Sequence, residues 1–305
     1  MLIKLDLSKT PFNLDYTLSC GQTFRWQHDE WWVGVVGQAV LKLQQKGGTL
    51  KFEGSADNLN SEFVKRYFRL DDDLNKIYSQ IAKDKHVREA VDRFRGLRLL
   101  RQEPWECLIS YICATHTSIP AIKQMIYELS RRFGRSIAFE GEVFFGFPRP
   151  QALAEASVGE LRLCKLGYRA ESVGETARLV GKGGFDLESL RRMPYAEAKK
   201  ALMSLPGVGP KVADCVLLFS LDKLEAFPID VWMKRIMLDF YAGYFDPSFV
   251  NRVKCKAGLS LGEYRAIYDV GRRVFGDYLG YAQEYLYHFK RCQELNGKGV
   301  SVSGG

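Results

Sequence analysis

The string Leu205-Pro206-Gly207-Val208-Gly209-Pro210-Lys211 constrains this chain more than any other part of it. Ala196 to Ser204, rich in Ala, Lys and Leu, has a helical pattern. Pro206 cannot continue that helix, and Gly207 and Gly209 tolerate backbone angles that other residues resist. Pro210 fits the first turn of a new helix. The expected unit is therefore helix, tight hairpin over 205–210, helix, with Lys211 where the second helix begins. The first N–H groups of such a helix lack partners inside it and can grip a phosphate, which makes Gly207 and Gly209 candidate DNA-binding positions. A Pro-Gly turn that binds nothing is the bland alternative, and for a bare G-x-G it would win.

On either side of the hairpin the pattern changes with position. Thr23–Gln27, Trp31–Val36, Ala39–Gln44 and Thr49–Glu53 are short aromatic and β-branched runs, joined by turns at 28–30 and 47–48. They predict an antiparallel meander. From about Ser61 the period becomes helical, in a series of amphipathic segments that includes Ile119–Phe133, Lys211–Leu221, Val231–Tyr241 and Ala282–Arg291. A one-faced sheet needs a cover, and the helices can supply it. The expected class is α+β: an N-terminal antiparallel sheet domain with flanking helices over 1–97, packed on a mostly helical domain over 98–292. Residues 293–305, Gly/Ser-rich at the end, are expected to form a disordered tail.

Composition narrows the partners. The 305 residues carry a formal net charge of +8 and a pI near 9.0, a balance that suits a polyanion without demanding one. The seven cysteines are scattered and show no C-x-x-C pair. That argues against a disulfide framework and against a zinc or iron–sulfur site, and predicts no metal, no cofactor and a reducing compartment. The first residues are too charged for a signal peptide, and no apolar run is long enough to span a bilayer, so no membrane partner is expected.

The full string from Leu205 to Cys215, L-P-G-V-G-P-K-V-A-D-C, resembles the helix-hairpin-helix motif of base-excision DNA glycosylases, and more narrowly the 8-oxoguanine DNA glycosylase family. The likeness recurs in Cys20-Gly21-Gln22-Thr23-Phe24-Arg25-Trp26, in Leu99 to Leu108, in Leu166 to Ala170 and in Gly280 to Gln283, covering about residues 1 to 292 in order. It implies a monomeric enzyme that acts on double-stranded DNA containing 8-oxoguanine, with glycosylase and abasic-site lyase activities.

Lys211 would be the nucleophile of such an enzyme. An amine must be neutral to attack, and both a helix N-terminus and partial desolvation disfavour an ammonium. Attack at C1′ of the deoxyribose would displace the base, and the Schiff base formed would permit β-elimination. Asp230, in Pro228-Ile229-Asp230, stands where the family has its essential aspartate. It can stabilise an oxocarbenium-like sugar and, at the same time, cap the helix that follows. The pairing of Lys211 with Asp230 is the strongest functional signal in the chain.

Further roles come from the resemblance. The Gly21 carbonyl would accept the N7 hydrogen that separates 8-oxoguanine from guanine. Gln283 would read the Watson–Crick edge, and Cys215 and Tyr287 would sandwich the extruded base. Tyr168 would wedge into the vacated stack, and Arg169 would contact the opposite cytosine. Taken singly, each of these residues could equally be a turn glycine, a surface glutamine or arginine, or a core side chain.

The sequence also departs from the animal members. His116 stands where they have an asparagine that fills the gap opposite the lesion. Ala121 replaces a second cytosine-reading arginine, Trp232 a pocket histidine and Lys290 an aspartate. A looser preference for cytosine is expected. Short loops suggest a prokaryotic member, cytoplasmic with the nucleoid; a eukaryotic one would be nuclear. The alternatives are a glycosylase for another damaged purine and a non-catalytic helix-hairpin-helix DNA-binding protein. Glycosylases for alkylated purines lack the lysine, and a binding module would need neither Lys211 nor Asp230.

Overall fold

Five strands near the N-terminus form one antiparallel sheet. They are β1 (Ile3–Asp6), β2 (Trp26–His28), β3 (Trp32–Val36), β4 (Ala39–Lys46) and β5 (Thr49–Gly54), arranged in the order β1-β5-β4-β3-β2. In this computed structural model residues 2–297 are described. The turn at Gly47-Gly48 sets the register of β4 on β5, with Lys46 opposite Thr49 and Leu43 opposite Phe52. Gly34 is required for packing: a Cβ there would lie 2.4 Å from the Trp26 ring, which rests flat on β3. Alternation puts Leu41, Leu43, Leu50 and Phe52 on the buried face, where Val64, Tyr67 and Phe68 cover them.

Two outcomes differ from the sequence reading. The strand expected over 23–27 is confined to 26–28, and Gln22 turns inward instead. The strands β1 and the small hairpin of β6 (Ser136–Phe139) and β7 (Glu142–Phe145) were not anticipated.

The rest of the chain is helical. The helices that bear on the site are α1 (Leu14–Ser19), α2 (Pro104–Cys113), α3 (Ile119–Phe133), α4 (Arg169–Gly181), α5 (Tyr195–Leu202), α6 (Pro210–Ser220), α7 (Val231–Phe240), α8 (Leu261–Phe275) and α9 (Leu279–Gly297). A second and larger core runs through them. Cys20 and Phe24, and the buried side chains between Leu74 and Phe94, belong to this core and not to the core under the sheet. The helix α9 reaches Gly297, so residues 293–297, expected to open the tail, are helical. The remainder of that expected tail, 298–305, lies outside the described residues. No described helix is long and apolar enough to cross a membrane.

The two cores are stitched by Gln22. Its side chain donates to the carbonyls of Thr17 (2.9 Å) and Arg98 (2.8 Å) and accepts from the Leu100 N–H (2.7 Å). Its own carbonyl accepts from Gln102 Nε2 (2.7 Å) and Tyr111 Oη (3.0 Å). This buried amide explains why two distant strings, around Cys20 and around Leu99, belong together: one supplies the amide and the other the backbone groups that satisfy it.

Candidate active site

The hairpin folds as its residues require. Helix α5 ends at Leu202, and Gly207 takes φ +77°. Extended Gly209 caps α6, and Pro210 opens it. Thr176 of α4 donates to the Pro206 carbonyl (3.1 Å), which fixes the turn against α4. A Cβ on Gly207 would lie 2.7 Å from the Ser172 Cβ, in a backbone region that L side chains resist. Gly207→Ala is therefore expected to cost about 1–3 kcal/mol of stability and to weaken binding of undamaged DNA, measured by thermal melting and fluorescence anisotropy.

Lys211 lies in the first turn of α6, partly buried at the edge of a cavity of about 430 Å³. Among the described residues, no hydrogen bond or ion pair holds its amine. The Nζ instead lies 4.9 Å from the centroid of the Tyr111 ring. Tyr111 is fixed by its bond to Gln22 and by stacking on Phe219 with centroids 5.7 Å apart.

Asp230 ends the extended segment Phe227-Pro228-Ile229 and caps α7, accepting the Met233 N–H at Oδ1 (2.8 Å). Burial raises the Asp230 carboxyl above the usual carboxylate range, while the Met233 bond and the nearby Lys211 charge oppose that rise.

A buried cluster behind the cavity ties the two residues together. Asp214, one turn along α6 from Lys211, is fully buried. It accepts from Tyr195 (2.8 Å), pairs with Lys199 (2.8 Å) and accepts from Tyr264 (2.6 Å). The same Tyr264 oxygen accepts the Ile229 N–H (3.0 Å), immediately before Asp230. Both helices of the hairpin, α8 and the aspartate segment thus meet at one carboxylate.

Gly21, Lys211, Cys215, Asp230, Gln283 and Tyr287 all line this one cavity. Gly21 has φ +105° and faces the Tyr287 ring and the Arg291 guanidinium. Arg291 donates to the carbonyls of Ser19 and Cys20, at 3.0 Å each, and so anchors the loop that carries Gly21. Burial pushes the Cys215 thiol up to about 12, which keeps it protonated beside Lys211. Phe24, Tyr111, Trp232, Glu284 and Arg291 also line the cavity; of these, the sequence reading had noticed only Trp232, as a departure from the animal members.

The remaining candidates sit outside the cavity. His116 is exposed with φ +49°. Tyr168 is exposed, and its hydroxyl reaches the Thr115 carbonyl (3.4 Å). Arg169, which a bland reading would leave exposed, is 9% exposed. It lies 4.5 Å from the Tyr168 ring centroid and donates to the Thr115 carbonyl and hydroxyl. His116, Tyr168 and Arg169 thus gather around Thr115. Ala121 lies on α3, and Lys290 lies 5.9 Å from the Phe240 ring centroid.

A sheet domain fused to a helix-hairpin-helix body, with a base-sized cavity at the mouth of the hairpin, is the architecture of a base-excision DNA glycosylase. Comparison with known proteins narrows the class. Residues 4–108 match the family described as 8-oxoguanine DNA glycosylase, N-terminal domain. The chain is 30% identical to a probable N-glycosylase/DNA lyase of Methanothermobacter thermautotrophicus over 93% of this chain and 95% of that one. It is 31% identical to an N-glycosylase/DNA lyase of Arabidopsis thaliana, over 93% of this chain and 78% of that one. The structure is similar to that of the Clostridium acetobutylicum 8-oxoguanine glycosylase/lyase in complex with DNA containing cytosine opposite the lesion, with TM-score 0.83, 30% identity, and coverage of 96% of this chain and 98% of that chain. The chain belongs to the 8-oxoguanine DNA glycosylase family of N-glycosylase/DNA lyases.

Proposed function

We propose that this protein removes 8-oxoguanine from duplex DNA and then cleaves the strand, with Lys211 as nucleophile and Asp230 as its electrostatic partner. The observation that carries the reading is the amine itself. Lys211 stands free of any ion pair at the rim of a cavity whose buried carboxylate lies close enough to feel its charge.

The extruded base enters the cavity, with Gly21, Cys215, Gln283 and Tyr287 around it. As the C1′–N9 bond breaks, its electron pair leaves with the base and positive charge develops on the sugar. The Asp230 carboxylate stabilises that charge. The neutral Lys211 amine forms the new C1′–N bond. Ring opening then gives the Schiff base, which acidifies C2′. Loss of a C2′ proton expels the 3′ phosphate by β-elimination.

Outside the cavity, Tyr168 fills the space left in the stack, and the open N-terminus of α6 beside Gly207 and Gly209 grips a backbone phosphate. The protein would work where genomic DNA lies: in the cytoplasm of a prokaryote, or in a eukaryotic nucleus. The test is borohydride trapping on an 8-oxoguanine duplex. A covalent adduct is expected, and its absence together with no base release would end this reading.

The opposite-base rule is expected to be loose. Arg169 is already engaged with Thr115, Ala121 offers no hydrogen bond, and His116 is exposed on a strained turn. Excision rates opposite C, A, G and T are expected to fall within roughly tenfold of one another, a spread of about 1.4 kcal/mol. A preference for cytosine of a hundredfold or more would contradict this.

A further inference from the structure

The cavity contains one carboxyl that the reaction above does not use. Glu284 follows Gln283 on α9, lines the cavity and is 2% exposed. Its Oε1 has no hydrogen-bond partner, and neither has the Oε1 of Gln283. The other deeply buried carboxylates are satisfied. Asp214 has Tyr195, Lys199 and Tyr264, and Glu263 has Lys256 and Ser260. A carboxyl serving only to hold the fold would have been given a donor in the same way, because an unmade bond at a buried charged group is costly. Two adjacent unpaired acceptors on one wall suit a ligand that arrives with N–H groups.

We propose that Glu284 is a second reader of the extruded base, accepting one N–H of an oxidised guanine while Gln283 takes another. The proposal rests on the base-pocket reading above. An 8-oxoguanine offers N–H groups at N1, N2 and N7. Adenine presents bare ring nitrogens at N1 and N7, so it would set acceptor against acceptor there. Glu284 would thereby narrow the substrate to purines rich in donors.

The surroundings leave the carboxyl free to respond to pH. Cys20 faces Glu284 from the loop after α1, Tyr111 from α2, Cys215 from α6 and Asp230 from the segment before α7, with Tyr287 and Arg291 on its own helix. Burial pushes the Glu284 carboxyl up to about 7; its contact with Cys20 and the Arg291 charge oppose the rise, and Asp230 adds to it. Below that value the group is protonated and is a poorer acceptor. The base-reading contribution is therefore lost as pH falls through about 7 and is fully present above it.

The experiment compares wild type with Glu284→Gln, Glu284→Ala and Gln283→Ala. It measures single-turnover release of 8-oxoguanine and cleavage of a preformed abasic site, which presents no base. Glu284→Ala is expected to slow base release roughly 10–100-fold, and Glu284→Gln less. Abasic cleavage should stay within about twofold of wild type, because no base contact is involved. The rise of base release with pH near neutrality should flatten in Glu284→Gln.

If Glu284→Ala releases base at the wild-type rate while Gln283→Ala does not, the proposal fails and the pocket reading stands. If both release base normally, the pocket reading fails as well. Equal loss of base release and abasic cleavage would make Glu284 a purely structural residue. A release rate that falls with rising pH, and is abolished in Glu284→Gln, would make it a proton donor. Either result overturns the proposal.

Discussion

Lys211→Ala is expected to end borohydride trapping and strand cleavage altogether, and to slow base release at least roughly a thousandfold. The size follows from the cavity. Among the described residues Lys211 is the only amine that lines it, and Arg291, the other cation there, is occupied with the carbonyls of Ser19 and Cys20. No neighbour can take over the attack. The fold should hold, because alanine suits the first turns of a helix and the only listed partner lost is the Tyr111 ring, a contact of about 0.5–1 kcal/mol at a partly exposed site. DNA affinity should fall only by the loss of one cation. A trapped adduct in the alanine variant, on gels of borohydride-treated reactions, would move the nucleophile elsewhere.

Asp230→Asn is the second large effect, and it separates chemistry from structure. Asparagine still caps a helix about as well as aspartate, so the bond to the Met233 N–H survives. What is lost is the charge beside C1′, and base release is expected to slow roughly 10²–10³-fold. Stability should behave differently. Burial raises the Asp230 carboxyl, so the folded state favours its protonated form. Its contribution to stability is present at low pH and declines as pH rises through the raised value. At neutral pH the asparagine variant is therefore expected to melt at or slightly above the wild-type temperature. Asp230→Ala, by contrast, loses the cap and about 1 kcal/mol. A large drop in melting temperature for Asp230→Asn would show that the charge is structural.

Some of this was legible in the sequence, for physical reasons. Lys211 and Asp230 announce themselves because helix caps and Pro-Gly turns are local signals, readable without knowing what packs where. The sheet was legible through alternation, except for β1, whose Ile-Lys-Leu-Asp becomes a strand only because β5 offers it an edge. The β6–β7 hairpin turns on Glu140 and Gly141, both at positive φ, and Glu140 gives no turn signal. Tyr111, Tyr264 and Glu284 were invisible as site residues. Each lies in an ordinary helical stretch, and its meaning comes from partners 89, 35 or more residues away or from lacking a partner altogether. Arg169 shows the converse: its string suggested a surface cation, and Thr115 draws it in.

The carboxylate of Asp214, held by two tyrosines and a lysine, has a consequence for how lesions are found. A repair enzyme meets vastly more sound bases than damaged ones, and most encounters with DNA are electrostatic and brief. Were its nucleophile and carboxylate assembled only on contact, each inspection would wait for that rearrangement. Here a buried hub already joins the lysine's helix to the aspartate's segment. Each visit to an intact base can end as quickly as that base slips back into the stack, and the time spent per site is set by the DNA, not by the protein.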